Sequence, residues 1–491
     1  MYQIFPDRFA RSKNCVPPPQ NKDHILREDW GGAPLGPDAD GVVRNRDFFG
    51  GNLRGIQERL PYLESLGVTV LYLNPIFEAY SNHRYDTADY TKIDPLLGTE
   101  ADFRELCRKA GDRGIRILLD GVFNHTGSDS IYFNQSGRFP GLGAYQSRDS
   151  LYYPWYRFEE WPEKYACWWG IKTLPAVNEE EPSYLDYMVR GKDSVARRWL
   201  RAGASGWRLD VVDELPDLFL EEFRKAVKEE KPEAAIVGEV WEDASTKVSY
   251  GQKRHYLDGT QLDSVMNYPL KDAVLQFLNK DGDAASFGRE VETLRRHYPE
   301  TVFYGLMNIL GTHDTPRILT LLSEGRSPRE GRRRLFAALL LWAFLPGIPC
   351  IYYGDELGME GGKDPENRRC FQEEAADPEV RDHYRRLLAF RKKRGLTGEW
   401  RFRALPVQEN CYAFVRETGE KRLLVAVKGL GPRTSFPVKL EAGEELEDVL
   451  AVGEGGFEEP GELLRRQREA GLYPWALEAF SGVALAISRK G

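Results

Sequence analysis

The feature that most constrains the fold of this chain is a regular alternation of short apolar runs with longer amphipathic segments. A run of about four to eight apolar residues is typical of a buried strand, and an apolar period of about 3.6 residues is typical of a helix. The apolar runs lie at residues 2–5, 68–73, 115–119, 206–211, 235–238, 264–266, 303–310 and 348–352. Helical patterns lie between most of them, at residues 53–66, 100–113, 192–202, 218–230 and 328–344.

Eight strand candidates separated by helices predict an α/β fold with a parallel sheet. Eight is the number of strands that closes into a (β/α)8 barrel, also called a TIM barrel. An open, doubly wound sheet is the alternative on pattern alone. Such a sheet normally carries a glycine-rich turn that binds phosphate, and this sequence shows none. We therefore expect the closed barrel.

Two regions depart from the alternation. Between residues 124 and 178 the periodicity gives way to Gly, Pro, Ser and aromatic residues, over a length too great for a plain connection. From about residue 396 the pattern becomes an alternation with turn signals, which is typical of antiparallel strands. The sequence thus predicts a first barrel part at 1–123, an insertion domain at 124–178, a second barrel part at 179–395 and a C-terminal antiparallel β-sandwich at 396–491.

Charge and apolar content narrow the class of partner and the compartment. The net charge of −8 is spread along the chain, whereas nucleic acids and anionic membranes attract clustered Lys and Arg. No stretch reaches the roughly 18 apolar residues of a membrane-spanning helix, and the first residues lack the pattern of a signal peptide. The six cysteines show no CxxC spacing. These features predict a cytoplasmic protein that binds neither nucleic acid nor membrane and whose partner is a neutral polar molecule.

Acidic residues stand where several predicted strands end. In a parallel barrel the carboxyl ends of the strands form the catalytic face, so side chains at those positions converge. One acid alone at such a position is usually a helix cap or a loop residue, but four of them, three with a neighbouring His or Arg, favour a catalytic pocket. The four acids are Asp120, Asp210, Glu239 and Asp314, and the neighbours are His125, Arg208 and His313.

This set suits the hydrolysis of a glycosidic bond, which needs an ionised carboxylate at the sugar carbon and a protonated acid at the leaving oxygen. Arg208 lies two residues before Asp210, on the same side of the strand, and would keep Asp210 ionised. Glu239 lies among small and apolar residues, where partial desolvation would favour the protonated form that the acid role requires. The two histidines would donate hydrogen bonds to sugar hydroxyls.

With these residues the chain resembles the α-amylase superfamily, glycoside hydrolase family thirteen, and within it the group of neopullulanases, cyclomaltodextrinases and maltogenic amylases. The matching motifs are the strand ends above and residues 2–9, 81–89, 351–358 and 364–368. The similarity covers residues 1 to about 395, and the predicted C-terminal sandwich agrees in position. The motifs are specific as a set, in this order.

The resemblance implies a retaining mechanism through a β-glucosyl-enzyme intermediate, acting on α-1,4 and also α-1,6 bonds of malto-oligosaccharides, cyclodextrins or pullulan. It implies that Asp210 is the nucleophile, Glu239 the general acid/base and Asp314 the stabiliser of the transition state. Tyr85 would stack under the glucose at the scissile bond. The other residues implied to bind substrate are His83, Asp120, His125, Arg208 and His313 at that subsite, Asp364 and Arg368 at the next one outward, and Trp241 beside the acid.

The resemblance implies no required cofactor and no catalytic metal. Asn124 occupies a position that binds calcium in true α-amylases, which leaves a structural calcium ion open. The acidic calcium loop of some members of the group is not visible at residues 11–14. The group usually carries an additional N-terminal β-domain that builds the dimer, and this chain begins on the first predicted strand, so the oligomeric state stays open.

Other functions stay open beside the hydrolase. A transglycosylating 4-α-glucanotransferase or an exo-acting α-glucosidase would share the fold, and water access, which separates transfer from hydrolysis, leaves no mark in the sequence. An inactive carbohydrate-binding subunit belongs to another class. Such a subunit would be expected to lack at least one acid, yet Asp210, Glu239 and Asp314 are all present.

Overall fold

The computed structural model describes residues 1–12, 23–279, 282–396, 398–440, 444–453, 456–457 and 472–489. Residues 13–14, part of the segment inspected for a calcium loop, lie outside the described residues, as do parts of the predicted C-terminal domain. The chain divides into two compact units. The first contains Met1–Met266 and Asp364–Phe371, and the second contains Asn267–Lys363 and Gln372–Gly491.

The first unit is built on a parallel sheet whose described strands follow one another in chain order. Its strands are β1 (Tyr2–Ile4), β2 (Val70–Leu73), β3 (Arg116–Gly121), β4 (Gly206–Leu209), β5 (Ala235–Gly238) and β6 (Ser264–Val265), each paired in parallel with the next. Six of the predicted apolar runs are thus confirmed as parallel strands. All residues of β1 and β4 are buried, as expected for strands of a parallel sheet that is covered on both faces.

Helices fill the connections from β1 to β5. Their bounds are Pro6–Phe9, Leu53–Glu58, Leu60–Ser65, Glu100–Gly111, Pro182–Leu185, Val195–Arg201 and Asp217–Glu230, with a π-helical turn at Asp186–Arg190. The helix predicted at residues 53–66 is in fact two helices. Pro61 explains the break, because it has no amide hydrogen to continue the helical ladder.

The segment 124–178 is largely irregular, as the sequence predicts. Its regular elements are the antiparallel strands Phe158–Glu160 and Lys164–Tyr165 and the 3-10 turns Tyr153–Trp155 and Trp168–Gly170. Aromatic rings fill its interior: the ring centroids of Tyr132, Tyr152 and Trp155 lie 4.8–5.2 Å apart. Ring packing therefore takes the place of long backbone ladders.

Three short strand pairs of the first unit are absent from the sequence prediction. Phe77–Ala79 pairs antiparallel with Thr87–Ile93, and Val248–Ser249 pairs antiparallel with Gln252–Lys253. Ile25–Leu26 pairs in parallel with Asp47–Phe48. Each contains at least one strand of two or three residues, which is too short for a periodic pattern to reveal.

The second unit contains helices and two kinds of strand pairing. Its helices are Tyr268–Asn279, Ala284–His297, Glu300–Gly305, Ile318–Ser323, Pro328–Phe344 and Pro378–Arg394. Met307–Asn308 pairs in parallel with Ile348–Pro349, and Ile351–Tyr352 follows. The strand prediction at 303–310 is wrong in its first part, because Phe303 lies in the helix that begins after Pro299.

The C-terminal part of the second unit is antiparallel. One sheet contains Arg401–Ala404, Cys411–Thr418, Lys421–Lys428, Glu444–Gly453, Gly456–Phe457 and Gly482–Arg489, and a second pairs Thr434–Lys439 with Leu472–Leu477. Val438 and Leu477 of the smaller sheet join Ala413, Ala426 and Leu485 of the larger sheet in one buried apolar cluster. The two antiparallel sheets therefore share a core. No helix in the described part of the chain is long and apolar enough to cross a lipid bilayer.

Candidate active site

Three carboxylates lie at the carboxyl ends of neighbouring strands in the first unit. The register places Arg208 of β4 opposite Asp120 of β3, and Leu209 opposite Gly238 of β5. Asp210 and Glu239 each follow the last residue of their strand, and their amides extend the parallel pairing: Asp210 N–H donates to the carbonyl of Gly121 at 3.0 Å. Strand register alone thus brings the acids predicted at these three strand ends to one edge of the sheet.

Arg208 connects the three carboxylates. Its Nη1 lies 2.8 Å from Asp120 Oδ1 and 2.7 Å from Asp210 Oδ1, and its Nη2 lies 2.9 Å from Glu239 Oε1. The Arg208 side chain is fully buried. Burial by itself would lower the pKa of Arg208, but the neighbouring carboxylates, Asp120 first, raise it well above its ordinary value. The guanidinium is therefore a permanent positive charge at the centre of the site.

Asp120 is held from the other side by two tyrosine hydroxyls. Tyr72 Oη donates to Asp120 Oδ2 at 2.6 Å, and Tyr85 Oη donates to the same oxygen at 2.7 Å. Asn74 Nδ2 in turn donates to Tyr85 Oη at 2.9 Å. Burial raises the pKa of Asp120, while Arg208 and the hydroxyls oppose the rise. Asp120 therefore fixes both Arg208 and Tyr85.

Glu239 receives hydrogen bonds from two elements besides its contact with Arg208. The amide of Val211 donates to Glu239 Oε2 at 3.0 Å, and Trp241 Nε1 donates to Oε1 at 3.2 Å. Val211 has φ 47° and ψ 52°, a left-handed conformation that is strongly unfavourable for a β-branched residue. Backbone strain of this kind persists only where the surrounding structure imposes it. Here the strained residue lies directly after Asp210.

Both histidines of the first-unit site are fixed by local contacts. His83 Nδ1 accepts from the amide of Tyr85 at 3.0 Å and lies 3.0 Å from Ser81 Oγ. His125 is buried, and burial lowers its pKa to about 4, so its ring is neutral at neutral pH. Asn124 Nδ2 lies 3.1 Å from His125 Nδ1. Asn124, the residue that left calcium open, is thus a hydrogen-bond partner of His125.

Asp364 and Arg368 form an ion pair in the first unit, with Arg368 Nη1 3.0 Å from Asp364 Oδ2. The Arg368 side chain is almost fully buried, and its guanidinium lies over the ring of Phe5, 5.5 Å from the centroid. Arg8 Nη1 donates to the carbonyl of Arg368 at 2.9 Å. This pair is therefore anchored on the segment that follows β1.

His313 and Asp314 belong to the second unit. His313 is buried, and its Nε2 lies 3.0 Å from Oδ2 of Asp314, whose side chain is partly exposed. The amide of Asp314 donates to Thr312 Oγ1 at 3.2 Å, and the amide of Thr312 donates to Thr315 Oγ1 at 3.0 Å. These bonds form a tight turn that presents the Asp314 carboxylate.

Several residues of the site are absent from the sequence prediction. Tyr72 and Asn74 hold Asp120 and Tyr85, and Gln3 Nε2 donates to Asn74 Oδ1 at 3.1 Å. Tyr72 and Asn74 lie at and just beyond the end of β2, so the strand-end rule that found the acids could also have found them. Val211 acts through its backbone amide, for which the residue type carries no signal.

The described part of the chain contains no candidate metal site, because no group of three or more His, Cys, Asp or Glu side chains there could hold an ion.

The described cysteines are all free thiols, namely Cys107, Cys167, Cys350, Cys370 and Cys411. Cys107 is half-buried.

Comparison with known proteins agrees with the geometry. The α-amylase catalytic domain matches residues 3–413. The chain is 38% identical to an amylopullulanase of Thermoanaerobacterium saccharolyticum over 85% of its own length, and it spans 36% of that longer relative. It is 37% identical to neopullulanase 2 of Thermoactinomyces vulgaris, over 94% of this chain and 75% of the relative.

A solved structure gives the same result. The cyclic α-maltosyl-(1→6)-maltose hydrolase of Arthrobacter globiformis, in complex with its cyclic sugar, superimposes with a TM-score of 0.79 and 31% identity. The match covers 99% of this chain and 97% of that one. Sequence profile, relatives and structure together show that the chain belongs to the α-amylase family.

Proposed function

We propose that this protein is a retaining glycoside hydrolase that cleaves α-glucosidic bonds in glucan oligosaccharides. The observation that carries the proposal is the buried guanidinium of Arg208, which contacts Asp120, Asp210 and Glu239 at 2.7–2.9 Å. Two carboxylates bound to the two terminal nitrogens of one guanidinium fit the short separation, about 5 Å, that retaining enzymes use.

Asp210 is proposed as the nucleophile and Glu239 as the general acid/base. Glu239 gives its proton to the glycosidic oxygen while a carboxylate oxygen of Asp210 attacks the anomeric carbon, so the glycosidic bond breaks and a covalent glucosyl ester forms. Glu239 then removes a proton from water, which attacks the same carbon and releases Asp210. Arg208, 2.7 Å from Asp210, stabilises the ionised carboxylate that the first step requires.

The remaining residues are proposed to hold the sugar. His83, Tyr85, Asp120 and His125 would contact the glucosyl unit at the scissile bond, together with His313 and Asp314, and Asp314 would stabilise the transition state. Asp364 and Arg368 would contact the next unit, and Trp241 would lie on the leaving-group side. For His313 and Asp314 the support is the family resemblance and their adjacent carboxylate and imidazole, 3.0 Å apart.

The substrate class follows from the relatives. The names of the two relatives refer to pullulan, and the solved neighbour is named for the hydrolysis of a cyclic sugar with an α-1,6 linkage. We therefore propose α-1,4-linked oligosaccharides, with α-1,6 bonds as a second linkage. The free thiols support a cytoplasmic location.

The complete architecture belongs to the same proposal. A closed barrel of eight strands, an insertion domain at 124–178 and a C-terminal β-sandwich at 396–491 would complete the described sheets. The support is the family match over residues 3–413 and the TM-score of 0.79 with a solved relative.

The test is product analysis on maltotriose, β-cyclodextrin and pullulan with the native chain, Glu239→Gln and Glu242→Gln. Glu242 is a nearby carboxylate that pairs with Lys247 at 2.5 Å, so its amide variant should retain activity. We expect cleavage by the native chain and by Glu242→Gln, and a loss of at least about a thousandfold in kcat for Glu239→Gln. Absence of cleavage of all three sugars by the native chain would contradict the proposal.

A further inference from the structure

The insertion segment ends in a tight loop that carries an exposed tryptophan, Trp169. Its side chain is 81% exposed. A single exposed apolar residue needs no explanation by itself. The backbone at this position needs an explanation, because Trp169 has φ 50° and ψ 30°, in the left-handed region that L-residues rarely adopt. Glycine or asparagine would adopt it at lower cost, and the exposed indole gains no burial that would compensate.

The loop is fastened to the candidate active site through the backbone. The amide of Ala176 donates to the carbonyl of Ala166 at 3.0 Å, and the amide of Trp168 donates to the carbonyl of Leu174 at 2.9 Å. Ala176 also forms a β-bridge with His125 on its other side. The loop with Trp169 is therefore held by a hydrogen-bonded pair of chain segments that begins at His125.

Ring contacts between side chains also connect His125 with Trp169. The rings of His125 and Trp168 are stacked, with centroids 5.5 Å apart and planes at 29°. The rings of Trp168 and Trp169 follow at 5.6 Å and 32°. Trp168 Nε1 is buried and has no hydrogen-bond partner among the described residues. Three rings thus lead from a buried histidine, 2% exposed, to an indole in solvent.

We propose that Trp169 is a stacking platform for a glucosyl unit of the bound oligosaccharide beyond the unit at the scissile bond. The proposal rests on the proposed function. Aromatic faces stack on the apolar faces of sugar rings, and the exposed indole of Trp169 lies one ring beyond Trp168. The platform contacts only chains long enough to reach it, so it sets a preference for longer oligosaccharides.

The experiment compares kcat and KM on maltotriose and maltoheptaose for three variants. Trp169→Asn removes the indole but suits the left-handed backbone, Trp169→Tyr keeps a ring, and Leu151→Asn is the control. Leu151 lies in the same segment and is 84% exposed. We expect Trp169→Asn to raise KM for maltoheptaose about tenfold, with kcat and the maltotriose constants unchanged. Trp169→Tyr should restore most of the difference, and Leu151→Asn should match the native chain.

Other results would overturn the proposal. Equal changes on both sugars, or a fall in kcat with unchanged KM, would show a structural role for Trp169 rather than an outer contact. A native chain that cleaves neither sugar would contradict the proposed function instead. In that case calorimetric binding of maltoheptaose to the native chain and to Trp169→Asn decides: about tenfold weaker binding to the variant supports the platform, and equal binding refutes it.

Discussion

The cluster around Arg208 and the insertion segment at 124–178 differ in the chemistry of their side chains and in the backbone that holds them. The Arg208 cluster consists of charged groups on strands, where the parallel register fixes each carboxylate relative to the next. The interior of the insertion segment is filled by aromatic rings on irregular backbone. Its one residue proposed to contact the scissile unit, His125, is kept neutral by burial. Charge at a reacting bond must be placed within a fraction of an ångström, whereas ring contacts tolerate small displacements.

The two regions also differ in what they contribute to the free energy of unfolding. One guanidinium faces three carboxylates that are almost fully buried, and an imbalanced buried ion cluster gives little or no net stability. The insertion segment buries apolar rings, which stabilise the fold directly. Removal of a charge from the cluster should therefore change the chemistry, and removal of a polar atom from the insertion segment should change the stability.

The largest expected effect tests this contrast on Asp210. Asp210→Asn removes the proposed nucleophile, and kcat should fall by at least about 10⁴-fold, roughly 5 kcal/mol in activation free energy. The thermal midpoint of unfolding should stay the same or rise, because one of the like charges that crowd Arg208 is lost. Steady-state kinetics and calorimetry on one preparation measure both. A variant that unfolds more readily and loses activity only in proportion would remove the distinction between the two regions.

The cluster was predictable from the sequence because strand geometry is regular. A period of two places Arg208 and Asp210 on one side of their strand, and parallel strands bring their carboxyl ends to one edge. Asp120, Asp210 and Glu239 can therefore be named from the sequence alone. The left-handed backbone of Val211 cannot, because valine is the wrong residue for that conformation and only the fold imposes it.

The insertion segment was predictable only as a segment. Its aromatic content and lack of period marked it as a separate region, but no rule of spacing relates His125 to Trp168. The two rings meet because an isolated bridge joins His125 to Ala176, whose chain segment pairs with the one before Trp168. Contacts of this kind depend on irregular backbone, which leaves no periodic trace in the sequence.

An intermediate effect concerns the neutral state of His125. Its pKa in the folded chain is about 4, below the ordinary value of 6.5. Between these values the unfolded chain binds a proton that the folded chain does not, so stability is highest above pH 6.5 and falls as pH drops toward 4. The loss attributable to His125 is roughly 3 kcal/mol for a fully buried ring. The NMR titration of the His125 ring, identified by its absence in His125→Gln, measures the pKa directly.

The matching stability measurement compares unfolding midpoints of the native chain and His125→Gln at pH 7 and pH 5. The variant has no imidazole to protonate, so the midpoint difference between the two pH values should be smaller for the variant than for the native chain. A His125 ring that titrates near pH 6.5, or equal pH dependence in both chains, would mean that burial does not hold this ring neutral. The insertion segment would then hold a buried charge, as the Arg208 cluster does, and the contrast between the two regions would weaken.

The smallest expected effect lies within the ring packing of the insertion segment, at the hydroxyl of Tyr132. Tyr132 Oη accepts from the amide of Tyr90 at 3.1 Å and lies 3.2 Å from Tyr187 Oη. Tyr132→Phe keeps the ring but leaves the buried Tyr90 amide without that acceptor, which costs about 1–2 kcal/mol. Tyr187→Phe loses only the contact between hydroxyls and should cost less than half as much.

The midpoint of thermal unfolding should fall by about 2–4 °C for Tyr132→Phe. The kcat on maltotriose should stay within about twofold, because the hydroxyl stabilises the fold and touches none of the charged groups around Arg208. A tenfold fall in kcat with an unchanged midpoint would show that the Tyr132 hydroxyl acts in catalysis. It would contradict the assignment of catalysis to the Arg208 cluster and of stability to the insertion segment.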